Sequence, residues 1–228
     1  MISEFNGFHR ETLDFLSELK KNNDKEWFEK NKDRYEKQVM EPSRAFVTAM
    51  GARLMEISED IVADPRVNKS LFRLNRDVRF SQDKSPYKTH IGILFWEGPR
   101  KRMECPSFYF HIETDSLMLG SGLYMLPKDM IDPYRNVVSQ EGPAEELAGI
   151  IAEMNDHGIE VGGLHYKNVP RGYDVEHSHP DLLKYNGVYG MVTTGISDEL
   201  FTSDILEISL GKYRLMDPLN RWLLKYLY

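Results

Sequence analysis

The sequence has almost no cysteine. Cys105 is the only one among 228 residues, so an internal disulfide is excluded. A chain without disulfides is typical of a reducing compartment. We therefore expect a cytoplasmic protein.

Long hydrophobic runs are absent as well. No segment approaches the ~20 apolar residues of a membrane-spanning helix. The first residues, MISEFNGFHRE, have neither the basic start nor the apolar run of a signal peptide. With 41% hydrophobic and 11% aromatic residues, the chain can still bury a large core. These features predict a globular protein with no membrane contact.

Familiar catalytic motifs are also missing. The sequence contains no G-x-x-x-x-G-K-[ST] phosphate loop, no G-x-G-x-x-G after a strand, no G-x-S-x-G elbow and no H-E-x-x-H helix. No reaction is therefore indicated by motif, and no cofactor is assigned.

Positive charges are outnumbered overall, with 29 Lys and Arg against 36 Asp and Glu, but many of them lie in one segment. The formal net charge is −7 and the pI is about 5.6. Residues 66–102 nevertheless hold ten Lys or Arg against three acids, whereas residues 103–165 hold two against eleven. A general nucleic-acid binder usually has a basic domain, so this distribution argues against general nucleic-acid binding and favours a local basic site.

Hydrophobic periodicity predicts the fold. Helical spacing appears first, in segments around 8–19, 23–39 and 42–61, and alternation replaces it after residue 65. At the start of the second segment, Asn23 and Glu26 resemble a capping box. Strands are expected near 89–96, 107–113, 117–124, 159–161 and 188–194, with helices at 127–138 and 143–154 and two closing helices capped by Ser197 and Asp217. This order predicts an α+β protein: one domain spanning 1–228, in which N-terminal and C-terminal helices pack on a mainly antiparallel sheet of about five strands.

The stretch LFRLNRDVRF, residues 71–80, alternates in the manner of another strand. Its even positions are apolar except Arg76. In a regular strand Arg76 points into the apolar face and needs an anionic or carbonyl partner. A bulge that turns Arg76 outward is the alternative.

Several motifs resemble a known family. They are Phe5-x-Gly-Phe8, Asn22-Asn23-x-x-x-Trp27-Phe28-x-x-Asn31, the run Arg76 to Thr89, and Pro170-Arg-Gly-Tyr173 followed by His177-Ser-His-Pro180. The chain resembles, nearly end to end, a domain of unknown function found in conserved hypothetical proteins of bacteria and fungi. The resemblance implies a single domain and no established activity.

The residues themselves predict an anion site in a basic strand-loop at 73–88, the basic segment. Arginine offers a planar fork that fits carboxylate or phosphate, and lysine a mobile point charge. Serine hydroxyls and loop amides add neutral donors. The candidate ligand-binding residues are Arg73, Arg76, Arg79, Ser81, Lys84, Ser85, Lys88 and, on a separate loop, Arg171.

Other interpretations remain beside the anion site. The protein is either an enzyme or binding protein with a pocket for a phosphate- or carboxylate-bearing ligand, or an interaction module that docks an acidic protein on the same basic patch. The cations also have local carboxylates, Asp77 and Asp83, with which they can form ordinary surface ion pairs.

Histidines suggest two further sites. The possible ligands for Zn²⁺ or Mn²⁺ are two imidazoles and three carboxylates: Asp174, Glu176, His177, His179 and Asp181. Ser178 and Pro180 are also typical of a helix start, and no metal is assigned. His111, between Tyr109 and Glu113 on the polar face of its strand, is a candidate general base or a merely hydrogen-bonded residue.

Overall fold

The computed structural model describes residues 4–173 and 178–228. These residues form an α+β fold with a five-stranded antiparallel sheet, as the sequence predicts. The strands are β1 (Ile91–Trp96), β2 (Ser107–Ile112), β3 (Ser116–Leu123), β4 (Glu160–Leu164) and β5 (Tyr185–Gly195). Their order in the sheet is β1-β2-β3-β5-β4. The β4–β5 register pairs Glu160 with Met191 and Gly162 with Tyr189.

Among the described residues, four α-helices precede the strands in the sequence, two lie between β3 and β4, and one follows β5. The bounds are α1 (Arg10–Lys21), α2 (Lys25–Lys30), α3 (Lys32–Tyr35), α4 (Glu41–Leu54), α5 (Lys128–Val138), α6 (Glu141–Asp156) and α7 (Asp204–Leu227). A π-helical turn, Glu36–Met40, joins α3 to α4, and 3₁₀ turns occupy Arg102–Glu104, Pro180–Lys184 and Asp198–Phe201. No helix among the described residues combines the length and the apolar character needed to cross a membrane.

By its contacts the chain divides into two compact units, which are described separately. The first is the described part of Met1–Phe95 with Tyr109–Met118 and Thr193–Leu210. The second comprises Trp96–Phe108, the described part of Leu119–Val192, and Gly211–Tyr228.

An aromatic cluster fills the first unit. Phe46 is fully buried, and its ring lies 4.3 Å from Phe110 and 5.2 Å from Phe5, measured between centroids. Phe8 stacks on Phe110 at 5.8 Å. Gly7, between Phe5 and Phe8, has a φ of 118° and a Cβ there would lie 2.3 Å from the Phe201 carbonyl carbon. Only glycine suits that position, which accounts for the Phe-x-Gly-Phe motif.

The second unit has its own core. The ring centroids of Phe108 and Tyr213 lie 5.0 Å apart, and those of Tyr134 and Trp222 lie 6.3 Å apart. The polar atoms of Tyr134 and Trp222 both have hydrogen-bond partners. The Tyr134 hydroxyl donates to the Leu182 carbonyl at 3.0 Å, and Trp222 Nε1 donates to the Pro143 carbonyl at 3.1 Å. Burial of these two rings therefore leaves no unsatisfied hydrogen-bond donor on either of them.

Three predictions about helix ends are wrong. Asp24, not Asn23, caps α2, because its side chain accepts a hydrogen bond from the Trp27 amide. The helix predicted over 42–61 corresponds to α4, which ends at Leu54 and does not reach Ile61. The two expected closing helices are one, because α7 continues through Asp217 and Pro218. Tyr213, Met216, Leu219 and Trp222 around that proline are all buried, and their burial outweighs the ~3 kcal/mol that a helix-interior proline costs.

Candidate functional site

The basic segment is an irregular hairpin, and the regular strand predicted for 71–80 is not present. Arg76 N donates to the Pro86 carbonyl at 2.9 Å, and Lys88 N donates to the Leu74 carbonyl at 2.8 Å. Between them Asn75 and Tyr87 form a single antiparallel bridge. Residues 77–85 form the loop, which lies in the first unit.

Hydrogen bonds from the loop backbone to nearby side chains explain why the antiparallel pairing ends after Arg76. Asp77 Oδ1 accepts from the Arg79 amide at 3.3 Å, and Asp83 Oδ1 accepts from the Ser85 amide at 2.9 Å. An aspartate that bonds the backbone two residues on favours a turn and competes with strand pairing. The consequence is clearest at Phe80, which the alternation placed on the apolar face and which is 96% exposed.

Asn23 fixes the base of the hairpin from 64 residues away. Its Nδ2 donates to the Tyr87 carbonyl at 3.0 Å, and its Oδ1 accepts from the Tyr87 amide at 3.1 Å. The Tyr87 ring packs on Phe28 at 4.4 Å between centroids. The Asn-Asn and Trp-Phe motif of the N-terminal helices thus holds the basic segment in place.

Arg76 is at the centre of the segment, with 26% of its side chain exposed. Its Nη1 bonds the Asp83 carboxylate and the Ser85 carbonyl, the latter at 3.1 Å, and its Nη2 donates to Ser81 Oγ at 3.4 Å. Ser85 donates to Asp83 Oδ1 from its hydroxyl at 2.6 Å as well as from its amide. Arg76 and Ser85 thus form a cradle of three donors, here called the Arg76 cradle, around one carboxylate.

The Arg76 cradle favours the charged form of the Asp83 carboxyl group. Hydrogen bonds from Ser85, and then from Arg76, lower the pKa of Asp83 from its usual 3.8 to about 2. Its side chain is nevertheless 61% exposed. An acceptor that is well bonded yet open to solvent can exchange with an external anion.

The other predicted cations have different surroundings. Arg79 forms a two-bond pair with Asp77, at 2.9 and 2.7 Å. Lys84 Nζ donates to the Val78 carbonyl at 3.0 Å, and Lys88 Nζ lies 5.2 Å from the centroid of the Phe72 ring. Arg73 is exposed and makes no side-chain hydrogen bond within the described chain.

Arg171 belongs to the second unit and lies on an exposed turn. Its predicted role in the same ligand site stays a prediction. Asp174, Glu176 and His177, three of the proposed metal ligands, lie outside the described residues. His179 directly precedes the 3₁₀ turn Pro180–Lys184, so a helical turn does begin at Pro180, without a side-chain cap.

A second polar cluster lies in the first unit, on strand β2. Phe108, Phe110 and Ile112 are fully buried on one face of the strand, and Tyr109 and His111 occupy the other. The Tyr109 hydroxyl and His111 Nδ1 are 3.0 Å apart, and His111 Nε2 lies 3.1 Å from Glu113 Oε1. The three side chains form a continuous phenol, imidazole and carboxylate chain.

His90 joins this chain from the residue before β1. Its ring lies 4.4 Å from that of His111, at an interplanar angle of 30°. Burial, reinforced by His111 and Lys88, lowers the pKa of His90 to about 4, so its imidazole is neutral near pH 7. Burial also raises the pKa of Tyr109 to about 12. Chemically the cluster can relay a proton or present neutral imidazole and carboxylate ligands.

Sequence reasoning singled out His111 with Tyr109 and Glu113 but missed His90. Only the i, i+2 spacing on β2 was visible in the sequence. The His90 contact depends on strand pairing between residues 21 positions apart, for which there was no local signal.

Comparison with known proteins gives one family. A search of curated proteins finds no match. The model of a family described as conserved hypothetical protein, DUF2461, matches residues 11–222. Since the match spans nearly the whole sequence, the chain belongs to the DUF2461 family of conserved hypothetical proteins.

Proposed function

We propose that the protein binds an anionic ligand, one bearing a phosphate or a carboxylate, through the basic segment. The observation that carries this proposal is the Arg76 cradle, in which one guanidinium and two Ser85 donors surround the exposed Asp83 carboxylate. The donors of the loop surround an anionic group, and in this structure that group is the Asp83 carboxylate.

Exchange of Asp83 for an external anion costs little. Exposed ion pairs contribute only ~0–1 kcal/mol, because water already solvates both partners. A phosphate brings more charge and more acceptor oxygens than a carboxylate, and charge-assisted hydrogen bonds to it are stronger than neutral ones. The ligand therefore replaces Asp83 at Arg76 and Ser85.

The surrounding charge favours such a ligand. The basic segment holds five Lys or Arg against two Asp. Arg73 and Lys84 form no ion pair within the described residues, so their charges are available to an external anion. Arg73, Arg76, Ser81, Lys84, Ser85 and Lys88 constitute the proposed site, with Arg79 at its edge beside Asp77.

The proposal places the protein in the cytoplasm. Cys105 is a free, buried thiol and the only cysteine, which fits a reducing environment.

Thermal denaturation tests the anion site directly. Inorganic phosphate should raise the melting temperature above that in chloride of equal ionic strength, because a ligand that binds only the folded state stabilises by RT ln(1 + [L]/Kd), ~2.7 kcal/mol at a hundredfold excess over Kd. Arg76→Met should fold with a loss of about 1 kcal/mol or less, since Asp83 remains solvated, and should lose the phosphate response. A response that survives in Arg76→Met contradicts the proposed site.

An interaction module is the second candidate, favoured by one observation. Phe80 is 96% exposed, and the Arg79 guanidinium carbon lies 5.8 Å from the centroid of its ring. An exposed aromatic beside cations suits docking of an acidic protein. If the protein is an interaction module, polyglutamate should bind to it, Phe80→Ser should abolish that binding, and phosphate should not raise the melting temperature more than chloride does. If the protein has an anion site, Phe80→Ser should keep the full increase in melting temperature with phosphate.

A further inference from the structure

Three potential metal ligands meet at the polar face of β2, and none of them belongs to the Arg76 cradle. One nitrogen from each of His90 and His111 and one carboxylate oxygen of Glu113 lie within 4.8 Å of one another. His111 Nε2 and Glu113 Oε1 are already 3.1 Å apart. Because Zn²⁺ binds His and carboxylate at ~2.0–2.2 Å, its ligand atoms lie about 3.3 Å apart in a tetrahedral site. Small side-chain rotations therefore suffice to close the set around an ion.

The elements hold two of these ligands in place. His111 lies near the end of β2 and Glu113 is the first residue after the strand. The 3.1 Å between His111 Nε2 and Glu113 Oε1 shows that both side chains lie on the same side of the chain. The His111 side chain is 12% exposed and that of Glu113 48%. The site is therefore mostly enclosed at His111 and open to solvent at Glu113, where an ion can enter.

His90 has a ring that the rest of the described chain does not satisfy. It stacks on His111, but no described residue forms a hydrogen bond with either of its ring nitrogens. Neither ring nitrogen is among the fully buried polar atoms that lack a partner, so both reach solvent and are open to an ion that enters beside Glu113. A metal ion beside Glu113 would supply the missing partner.

Tyr109 provides the outer support that metal-bound histidines usually have. Its hydroxyl contacts His111 Nδ1 at 3.0 Å, which leaves Nε2 for a metal and fixes the ring orientation. Room for the phenol depends on Gly92 in β1, since a Cβ there would lie 2.7 Å from the Tyr109 hydroxyl oxygen. The second layer of the site is thus built into two strands.

We propose that His90, His111 and Glu113 form a binding site for a divalent transition-metal ion, with Zn²⁺ as the best match. Two imidazoles and one carboxylate are a ligand set suited to borderline cations such as Zn²⁺, whereas Mg²⁺ and Ca²⁺ prefer oxygen ligands throughout. Three protein ligands leave at least one coordination position open to water or to a further ligand. The site stands independently of the anion proposal.

The test is a competition titration of untagged, chelator-stripped protein with Zn²⁺ against a chromophoric chelator. Wild type should bind one equivalent. His90→Ala and His111→Ala should abolish this binding, and Tyr109→Phe, which keeps all three ligands, should weaken it by ~10–100-fold. Mg²⁺ should not compete. The absorption spectrum with Co²⁺ should show the strong visible bands of a low-coordinate site, and these bands should disappear in His90→Ala.

Matched controls separate this site from surface binding and from the basic segment. His157→Ala removes an exposed histidine of the second unit, and Arg76→Met removes the centre of the Arg76 cradle; both should titrate like wild type. If His111→Ala fails to fold, Glu113→Gln, which alters a half-exposed ligand, should still lower the affinity. Unchanged affinity in His90→Ala and Glu113→Gln, or an equal loss in His157→Ala, overturns the proposal.

Discussion

At the level of single residues, the proposed anion binding depends on Asp83 and on the two residues that donate hydrogen bonds to it, Ser85 and Arg76. Ser85 contributes more than Arg76 to the lowered pKa of Asp83. A carboxyl group whose pKa is depressed on folding stabilises the folded state above its unfolded pKa, and that contribution is lost as the pH falls through the folded value. The relevant window for Asp83 therefore runs from about 3.8 down to about 2.

The pKa of Asp83 should report on ligand binding. In the free protein it should be near 2, measured by carboxyl-carbon NMR over the accessible acidic range. Saturating inorganic phosphate should raise it toward 3.8, because the displaced carboxylate loses its bonds to Ser85 and Arg76 and lies near another anion.

Asp77 is the internal control for this measurement. Its pKa is also lowered, mainly by Arg79, but it lies outside the Arg76 cradle. A shift of equal size at Asp77 and Asp83 would indicate a general effect of phosphate and would count against displacement of Asp83.

At the scale of the element, the hairpin around the basic segment owes its position to Asn23. Asn23→Ala should lower the free energy of unfolding by ~1–3 kcal/mol, because the part-buried Tyr87 amide loses its acceptor. Asn22→Ala is the matched control, since its exposed Nδ2 donates only to the Glu18 carbonyl at the end of α1. Urea denaturation of both variants, with hydrogen exchange of the Tyr87 amide, measures the difference; equal losses in the two would show that Asn23 has no special role.

The same elements show how far the sequence predicts this fold. On β2, strict alternation in Phe108, Phe110 and Ile112 reflects burial on one face, and the strand was predicted almost to the residue. The run 71–80 alternates too, but Asp77 and Asp83 bond the local backbone and end the pairing after Arg76. Periodicity measures which positions favour burial; it does not measure competing side-chain bonds.

The candidate sites were predictable to different degrees for related reasons. Arg76 was identified because a cation at an apolar position needs a partner, and that partner proved to be Asp83, seven residues away, across a loop of unforeseen shape. Asn23 and His90 act through contacts with Tyr87 and His111, which are distant in sequence. Contacts of this kind depend on tertiary pairing, to which local patterns are insensitive.

At the scale of the whole molecule, an acidic chain carries a basic site. The net charge of −7 repels anions at long range, whereas the basic segment attracts them at short range. With a screening length of ~8 Å at physiological ionic strength, the local cations dominate the binding of a small anion. The salt conditions must therefore be matched in every comparison of variants.

Displacement of Asp83 by the ligand is tested by the phosphate affinity of Asp83→Asn, measured by calorimetry at fixed ionic strength beside wild type and Asp77→Asn. Both substitutions remove one negative charge from the same loop, but only Asp83 occupies the Arg76 cradle. If Asp83 is a built-in substitute for the ligand, Asp83→Asn should bind phosphate more tightly than Asp77→Asn, by about 5-fold, because phosphate no longer has to displace a carboxylate from Arg76 and Ser85. Equal affinities in the two variants, or weaker binding by Asp83→Asn, would contradict the account.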